Sequence, residues 1–317
     1  MTHSTGRRAA AAIAAAALAS GAGAPDRVGD ELPRSALRVY AAGEWRPWWS
    51  SERAPTRWTS APLADAVDWR PGAAPGLEWG TLRLAGSGEA WRLKVVVVRL
   101  DPARFRFRLP QRADGDRRGA WTVDSATAGA TLALNAGQFA RATPWGWLVR
   151  AGQELQPPGR GPLSAAFVVD GAGGASIVPA ESLEVARARR DVREAFQSYP
   201  AALLGDGEVP AALRAPGGGI DVAHRDARLA VGELRDGRLV VALTRFDAAG
   251  EALQALPFGL TVPETAALMG ALGARRALLL DGGISAQLAV RDASGSGQHV
   301  WHGLRAVPMG LEAVPAP

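Results

Sequence analysis

Hydrophobic positions along the chain repeat mostly with the period of β-strands. Arg92-Leu93-Lys94-Val95-Val96-Val97-Val98-Arg99-Leu100 is a β-branched run of strand length, and Phe105-Arg106-Phe107-Arg108-Leu109 alternates strictly, with Asp101-Pro102 marking the turn between them. Further strands are predicted at Thr131 to Leu134, Ala165 to Val169, Ala227 to Leu234, Arg238 to Thr244 and Arg276 to Leu280. Arg235-Asp236-Gly237 reads as a hairpin turn, because an Asp-Gly pair tolerates the positive φ such turns require. Two helices are predicted. One runs from about Glu181 to Tyr199, with Leu183, Ala186, Ala195, Phe196 and Tyr199 as its apolar positions, and the other from about Val262 to Leu272. The second has a defined start, since Thr261 and Glu264 form a capping-box pair and Pro263 lies in the first turn, where its missing N–H costs nothing. Strands outnumber helices and several are joined by hairpins, which predicts an α+β fold with a mixed, largely antiparallel sheet.

Residues 25–90 lack this regularity. They are rich in Pro, Gly and Trp and are expected to form an extended arm, its tryptophans pinning it to the domain over 91–317 or lining a carbohydrate surface. Residues 1–24 read as an export signal: Arg7-Arg8 precedes the apolar run Ala9 to Ala19, with small residues near Ala22 where a peptidase would cut. The run is shorter than the roughly 20 residues of a spanning helix, so an exported protein without a stable membrane span is expected, periplasmic or extracellular. Composition narrows the partners. The 36 basic residues against 31 acidic give +5, yet Lys94 is the one lysine and the arginines are scattered rather than gathered in the continuous stripe that nucleic acid requires. With no cysteine, a disulfide framework or a thiolate centre is excluded. His3, His224, His299 and His302 lack ligand spacing, so neither a metal nor a cofactor is expected.

Three segments carry candidate chemistry. In Ala277-Leu278-Leu279-Leu280-Asp281-Gly282-Gly283-Ile284-Ser285 an apolar strand ends in a carboxylate, then two glycines that let backbone N–H groups approach a ligand, then a hydroxyl. In Leu132-Ala133-Leu134-Asn135-Ala136-Gly137-Gln138-Phe139 a strand runs into Asn135, whose amide suits a sugar hydroxyl or a phosphate oxygen. In His224-Arg225-Asp226-Ala227-Arg228-Leu229-Ala230-Val231-Gly232, Arg228 heads a strand with a planar fork suited to phosphate. An Asp-Gly turn, ordinary turn asparagine and a surface ion pair are the competing readings of these residues.

Together and in this order, NAGQF, ARLAVG and LDGGIS resemble the signature segments of the phosphodiester glycosidase family, with supporting matches at Pro144 to Val149 and Ser198 to Leu204. The resemblance spans about 130–311. It departs at Ile284, which stands for a third glycine, at Leu229, which stands for a threonine, and at Gln138, where an aromatic or glycine is commoner. The resemblance implies a hydrolase acting on a carbohydrate or glycosyl-phosphate substrate, with Asp281 as the carboxylate, Arg228 as phosphate ligand and Asn135 beside them. Gly282, Gly283 and Ser285 would complete the cradle, with Gln287 and His224 as outer candidates. A non-catalytic glycan-binding module and a hydrolase of another exopolysaccharide linkage are the alternatives.

Overall fold

The computed structural model describes residues 34–110, 121–140, 143–248, 250, 253–294 and 297–317; the expected export segment lies outside the described residues. The predicted strands form in place. Val95 and Val97 face one side and Val96 and Val98 the other, all fully buried, so the Leu93–Leu100 strand lies inside the molecule with apolar neighbours on both faces. It pairs antiparallel with Leu239–Phe246 and Leu77–Ala85 in a nine-stranded sheet whose order continues through Leu229–Leu234 and Ala274–Leu279 to Ala201–Leu203. Gly237, with φ of 86°, closes the predicted hairpin between Leu229–Leu234 and Leu239–Phe246.

One face of this sheet carries the helix Val262–Ala271, buried along nearly its whole length. Its capping box forms as expected: Thr261 Oγ1 accepts from Glu264 N, and the Glu264 carboxylate accepts from Thr261 N at 2.9 Å. The helix sits close because Gly232 on the sheet has no side chain; a Cβ there would lie 3.0 Å from Met269 Cε. The opposite face packs against two five-stranded sheets. One is built from Gln298–Trp301, Leu288–Arg291, Leu132–Asn135, Gly310–Pro315 and Phe105–Arg108, the other from Gln153–Gln156, Leu148–Arg150, Val192–Ser198, Ala165–Asp170 and Ala175–Pro179.

Two segments differ from expectation. The helix predicted over Glu181 to Tyr199 is a 3₁₀ turn followed by a five-residue α-helix, Leu183–Arg187, and then the strand Val192–Ser198. That strand is central in its sheet. Ala195 faces one apolar cluster and Phe196 another, so burial on both faces erased the alternation that marks a half-buried strand. Residues 34–90, expected as an irregular arm, supply Ala36–Ala41, Glu44–Ser50, Arg70–Pro71 and Leu77–Ala85 to the nine-stranded sheet. Trp49, Trp58 and Trp79 are buried, and the Trp58 indole covers Gly270, where a Cβ would fall 2.2 Å from Trp58 Cγ.

Candidate active site

The strand register assembles the site. Ala230 pairs with Leu279 and Val231 with Leu278; continuing two residues past this ladder sets Asp281 across from Arg228, and Leu280 N donates to Leu229 O at 2.8 Å. The chain then crosses from the nine-stranded sheet to the neighbouring one through residues 281–287. There Leu288 pairs with Leu134, and Asn135 comes opposite Gln287. Asp281 therefore stands where two sheets diverge, with Arg228 brought by one and Asn135 by the other.

Asn135 is completely buried and joins the two. Its Nδ2 donates to the Asp281 backbone oxygen at 2.8 Å, and its Oδ1 accepts from Gln287 N at 2.9 Å. Gln287 is also buried: Oε1 accepts from Val123 N at 3.0 Å, and Nε2 donates to the carbonyls of Ser285 and Arg305. Ser285 is 1% exposed, its hydroxyl accepting from Arg305 Nε at 2.7 Å. These three side chains are bonded inside the protein and hold the Asp281 loop in shape, and Asn135, wholly buried, presents no exposed surface to a sugar or phosphate oxygen.

The two glycines have steric reasons. Gly282 lies against the Ala227 carbonyl, where a Cβ would come within 2.5 Å of the oxygen. Gly283 has φ of 57°, and a Cβ on it would meet Asp226 Oδ2 at 2.8 Å. The pair thus lets the Asp226-Ala227 backbone and the Asp226 carboxylate press onto the loop. Ile284 has no positive φ and follows within the 3₁₀ turn Gly283–Ser285, and its carbonyl receives Leu304 N at 2.7 Å. The backbone here makes no demand for a third glycine.

Charges gather around Asp281. Arg305, half-exposed, reaches Asp281 Oδ2 at 3.3 Å while holding Ser285. Asp226 is three-quarters or more shielded at its side chain, and burial holds its carboxyl above the usual carboxylate range; Arg228 and His224 oppose that rise and the charge of Asp281 adds to it. Arg228 donates from Nε to Leu260 O and from Nη2 to His224 O, both at 2.7 Å, which leaves Nη1 without a protein partner among the described residues. Burial pulls the Arg228 guanidinium down from its ordinary value, against the carboxylates of Asp226, Asp221 and Glu264. His224 is exposed, with Nε2 at 3.9 Å from Asp226 Oδ2.

Asp281, Gly282, Gly283, Arg228 and His224 therefore converge with two residues the signature segments do not single out, Asp226 and Arg305. Asp226 precedes the ARLAVG segment, where the sequence allows a second carboxylate but an ion pair with a neighbouring arginine is the blander reading. Arg305 is one of 35 arginines and has no local signal. Among the described residues no group of three or more His, Asp or Glu is placed to hold a metal ion, and no helix is long and apolar enough to cross a membrane.

The fold has relatives of known structure. The catalytic domain of zebrafish N-acetylglucosamine-1-phosphodiester alpha-N-acetylglucosaminidase, auto-inhibited by its pro-peptide, is similar over 82% of this chain and 94% of its own, at 16% identity and a TM-score of 0.58. A hypothetical protein from Synechocystis is more distant, with a TM-score of 0.48 at 16% identity over 76% of this chain and 62% of its own. No curated protein sequence matches the chain. The sequence model of the phosphodiester glycosidases matches residues 128–313, which is more than half of the chain and includes Asn135, Asp226, Arg228, Asp281 and Arg305; the protein belongs to the phosphodiester glycosidase family.

Proposed function

We propose that this protein is an exported hydrolase that cleaves sugar-1-phosphodiesters in envelope or extracellular glycans. The observation that carries this reading is the meeting of two carboxylates, Asp281 and Asp226, with the guanidinium groups of Arg228 and Arg305 at one sheet end. Hydrolysis at an anomeric phosphodiester breaks the bond between C1 and the phosphate oxygen. Water delivers its hydroxyl to C1, and the phosphate leaves as a monoester. Because phosphate is a good leaving group, the site must mainly stabilise an oxocarbenium-like centre and hold the departing charge. Asp281, oriented by Arg305, is the carboxylate that attacks C1 or draws the proton from water. Arg228 offers Nη1 to the phosphate. Asp226, whose carboxyl burial raises above its ordinary value, lies beside Arg228 as the second carboxylate facing the leaving phosphate. Asn135, Gln287 and Ser285 position the loop, and His224 lies at the open side, within reach of a substrate.

The export reading rests on the Arg7-Arg8 and polyalanine segment. The catalytic reading is tested by incubating the protein with a phosphate-linked N-acetylglucosamine carrying a reporter alcohol and following free sugar. Release by the wild type that is abolished in Asp281→Asn and reduced in Arg228→Lys is expected. Saturable binding without release from any phosphodiester or ordinary glycoside would overturn hydrolysis and leave a glycan-binding module.

A further inference from the structure

A second concentration of positive charge lies beside this site. Antiparallel pairing sets Arg83 opposite Lys94 and Lys94 opposite Arg245, so three cations stand in one row across three adjacent strands of the large sheet. Like charges directly across strands repel. Asp247 is the carboxylate paired with the row, 3.6 Å from Lys94 and 3.9 Å from Arg83, and no carboxylate contacts Arg245 among the described residues. Arg245 is nevertheless 1% exposed. Its Nη2 donates to the carbonyls of Ala286, Trp301 and His302, and its Nη1 has no hydrogen-bond partner among the described residues. A buried guanidinium without a counter-ion is costly, and an apolar side chain would fill the same space without that cost.

Arg245 lies in the wall of a cavity of about 500 Å³ that is also bounded by Lys94, Gln254, His299, Trp301 and His302; among the described residues no acidic side chain lines it, while His299 Nε2 lies 2.8 Å from Asp292 and His302 Nδ1 3.4 Å from Asp124. His299 and Trp301 lie on an edge strand with their rings stacked at 6.3 Å, giving the cavity an aromatic side. The cavity adjoins the candidate active site through shared backbone: Ala286 follows Ser285, and His302 is three residues before Arg305. Cations, amide groups and an aromatic face are what an acidic sugar unit requires.

We propose that this cavity is an anion-binding subsite, receiving a second anionic group, phosphate or carboxylate, of the glycan whose anomeric phosphodiester lies at Asp281. The substrate class implied is a polyanionic glycan rather than a single neutral glycoside. The inference rests on the hydrolase reading for the substrate's orientation, but the binding of an anion does not depend on turnover.

The test uses calorimetric titration of the whole protein with inorganic phosphate, with glucuronate, and with N-acetylglucosamine as the neutral probe. Saturable binding of phosphate, glucuronate or both is expected, weakened about tenfold in Lys94→Glu and in Trp301→Ala but retained in Asp281→Asn, while the neutral sugar binds no better than to the variants. Phosphate without glucuronate would name a phosphoglycan; the reverse would name a uronic acid polymer. Anion binding that is absent, or that is lost in Arg228→Lys and untouched by Lys94→Glu, would overturn the proposal. A protein that binds anions in the expected way yet releases no sugar would retain this subsite and lose only the hydrolase reading. Arg245→Met is the more direct variant but disturbs three backbone contacts, so Lys94→Glu and Trp301→Ala carry the test.

Discussion

Replacing Asn135 with alanine separates the residues that hold the site from those that act in it. The Asn135 side chain is wholly buried and joins Asp281 O to Gln287 N across two sheets. Its removal leaves the buried Gln287 N–H and the partly buried Asp281 carbonyl short of a partner. At about 1–3 kcal/mol for each such group, the loss is about 2–6 kcal/mol. That is a large fraction of the roughly 5–15 kcal/mol that stabilises a folded protein, and at about 2–4 °C per kcal/mol it corresponds to a melting temperature lower by about 4–24 °C. Asp281→Asn provides the contrast. The Asp281 side chain is partly exposed and makes a single 3.3 Å contact with half-exposed Arg305, so the change should cost no more than about 1 kcal/mol. Thermal and urea denaturation of both variants, beside sugar release, make the comparison. An Asn135→Ala protein that melts within about 2 °C of the wild type yet has lost turnover would refute the assignment, because the amide would then be acting on substrate rather than holding the loop.

Gly283→Ala should cost about 1–3 kcal/mol and lower sugar release as well, since it forces a positive φ on alanine and pushes into the Asp226 carboxylate; denaturation midpoints and the rate check the two effects. Glu264→Ala removes a buried carboxylate from the helix cap and strands the Arg225 guanidinium, with an expected loss of about 3–5 kcal/mol seen as a shifted urea midpoint. Glu194, whose carboxyl burial raises to about 7, contributes stability that is complete below its unfolded value near 4.5 and is lost as pH rises through about 7. Glu194→Gln should therefore flatten the decline in melting temperature between about pH 5 and pH 8, and an unchanged decline would remove Glu194 as its source.

Much of the fold is legible where local chemistry and burial agree. The valines at 95–98, the Asp236-Gly237 turn and the Thr261/Glu264 box each point to the element that forms. Legibility fails where burial is not one-sided. The Leu77–Ala85 strand buries Leu77 and Trp79 on one face near its start and Leu82 and Leu84 on the other near its end, so its apolar phase switches midway although its pairing is regular. Val192–Ser198 is hidden for a related reason, being covered on both faces. At the site, Asp281, Gly282 and Gly283 stand out because a strand ending in a carboxylate and paired glycines is unusual in composition. That Asn135, Ser285 and Gln287 turn inward depends on how two sheets meet, which no local segment contains. Arg305 becomes recognisable only once its segment is docked on Ile284.

The position of the Leu77–Ala85 and Leu93–Leu100 strands bears on how the protein can be divided. The family-matched stretch, 128–313, begins after both of them, yet Leu239–Phe246 inside that stretch pairs along its whole length with Leu93–Leu100. Excising the matched stretch would leave an eight-residue strand with an open edge, Val240 and Ala242 bared on one face and Val241 and Leu243 on the other. Such an edge is a template for another chain. A fragment cut at the boundary of sequence similarity should accumulate as aggregate, whereas one cut before Ala36 keeps the sheet whole.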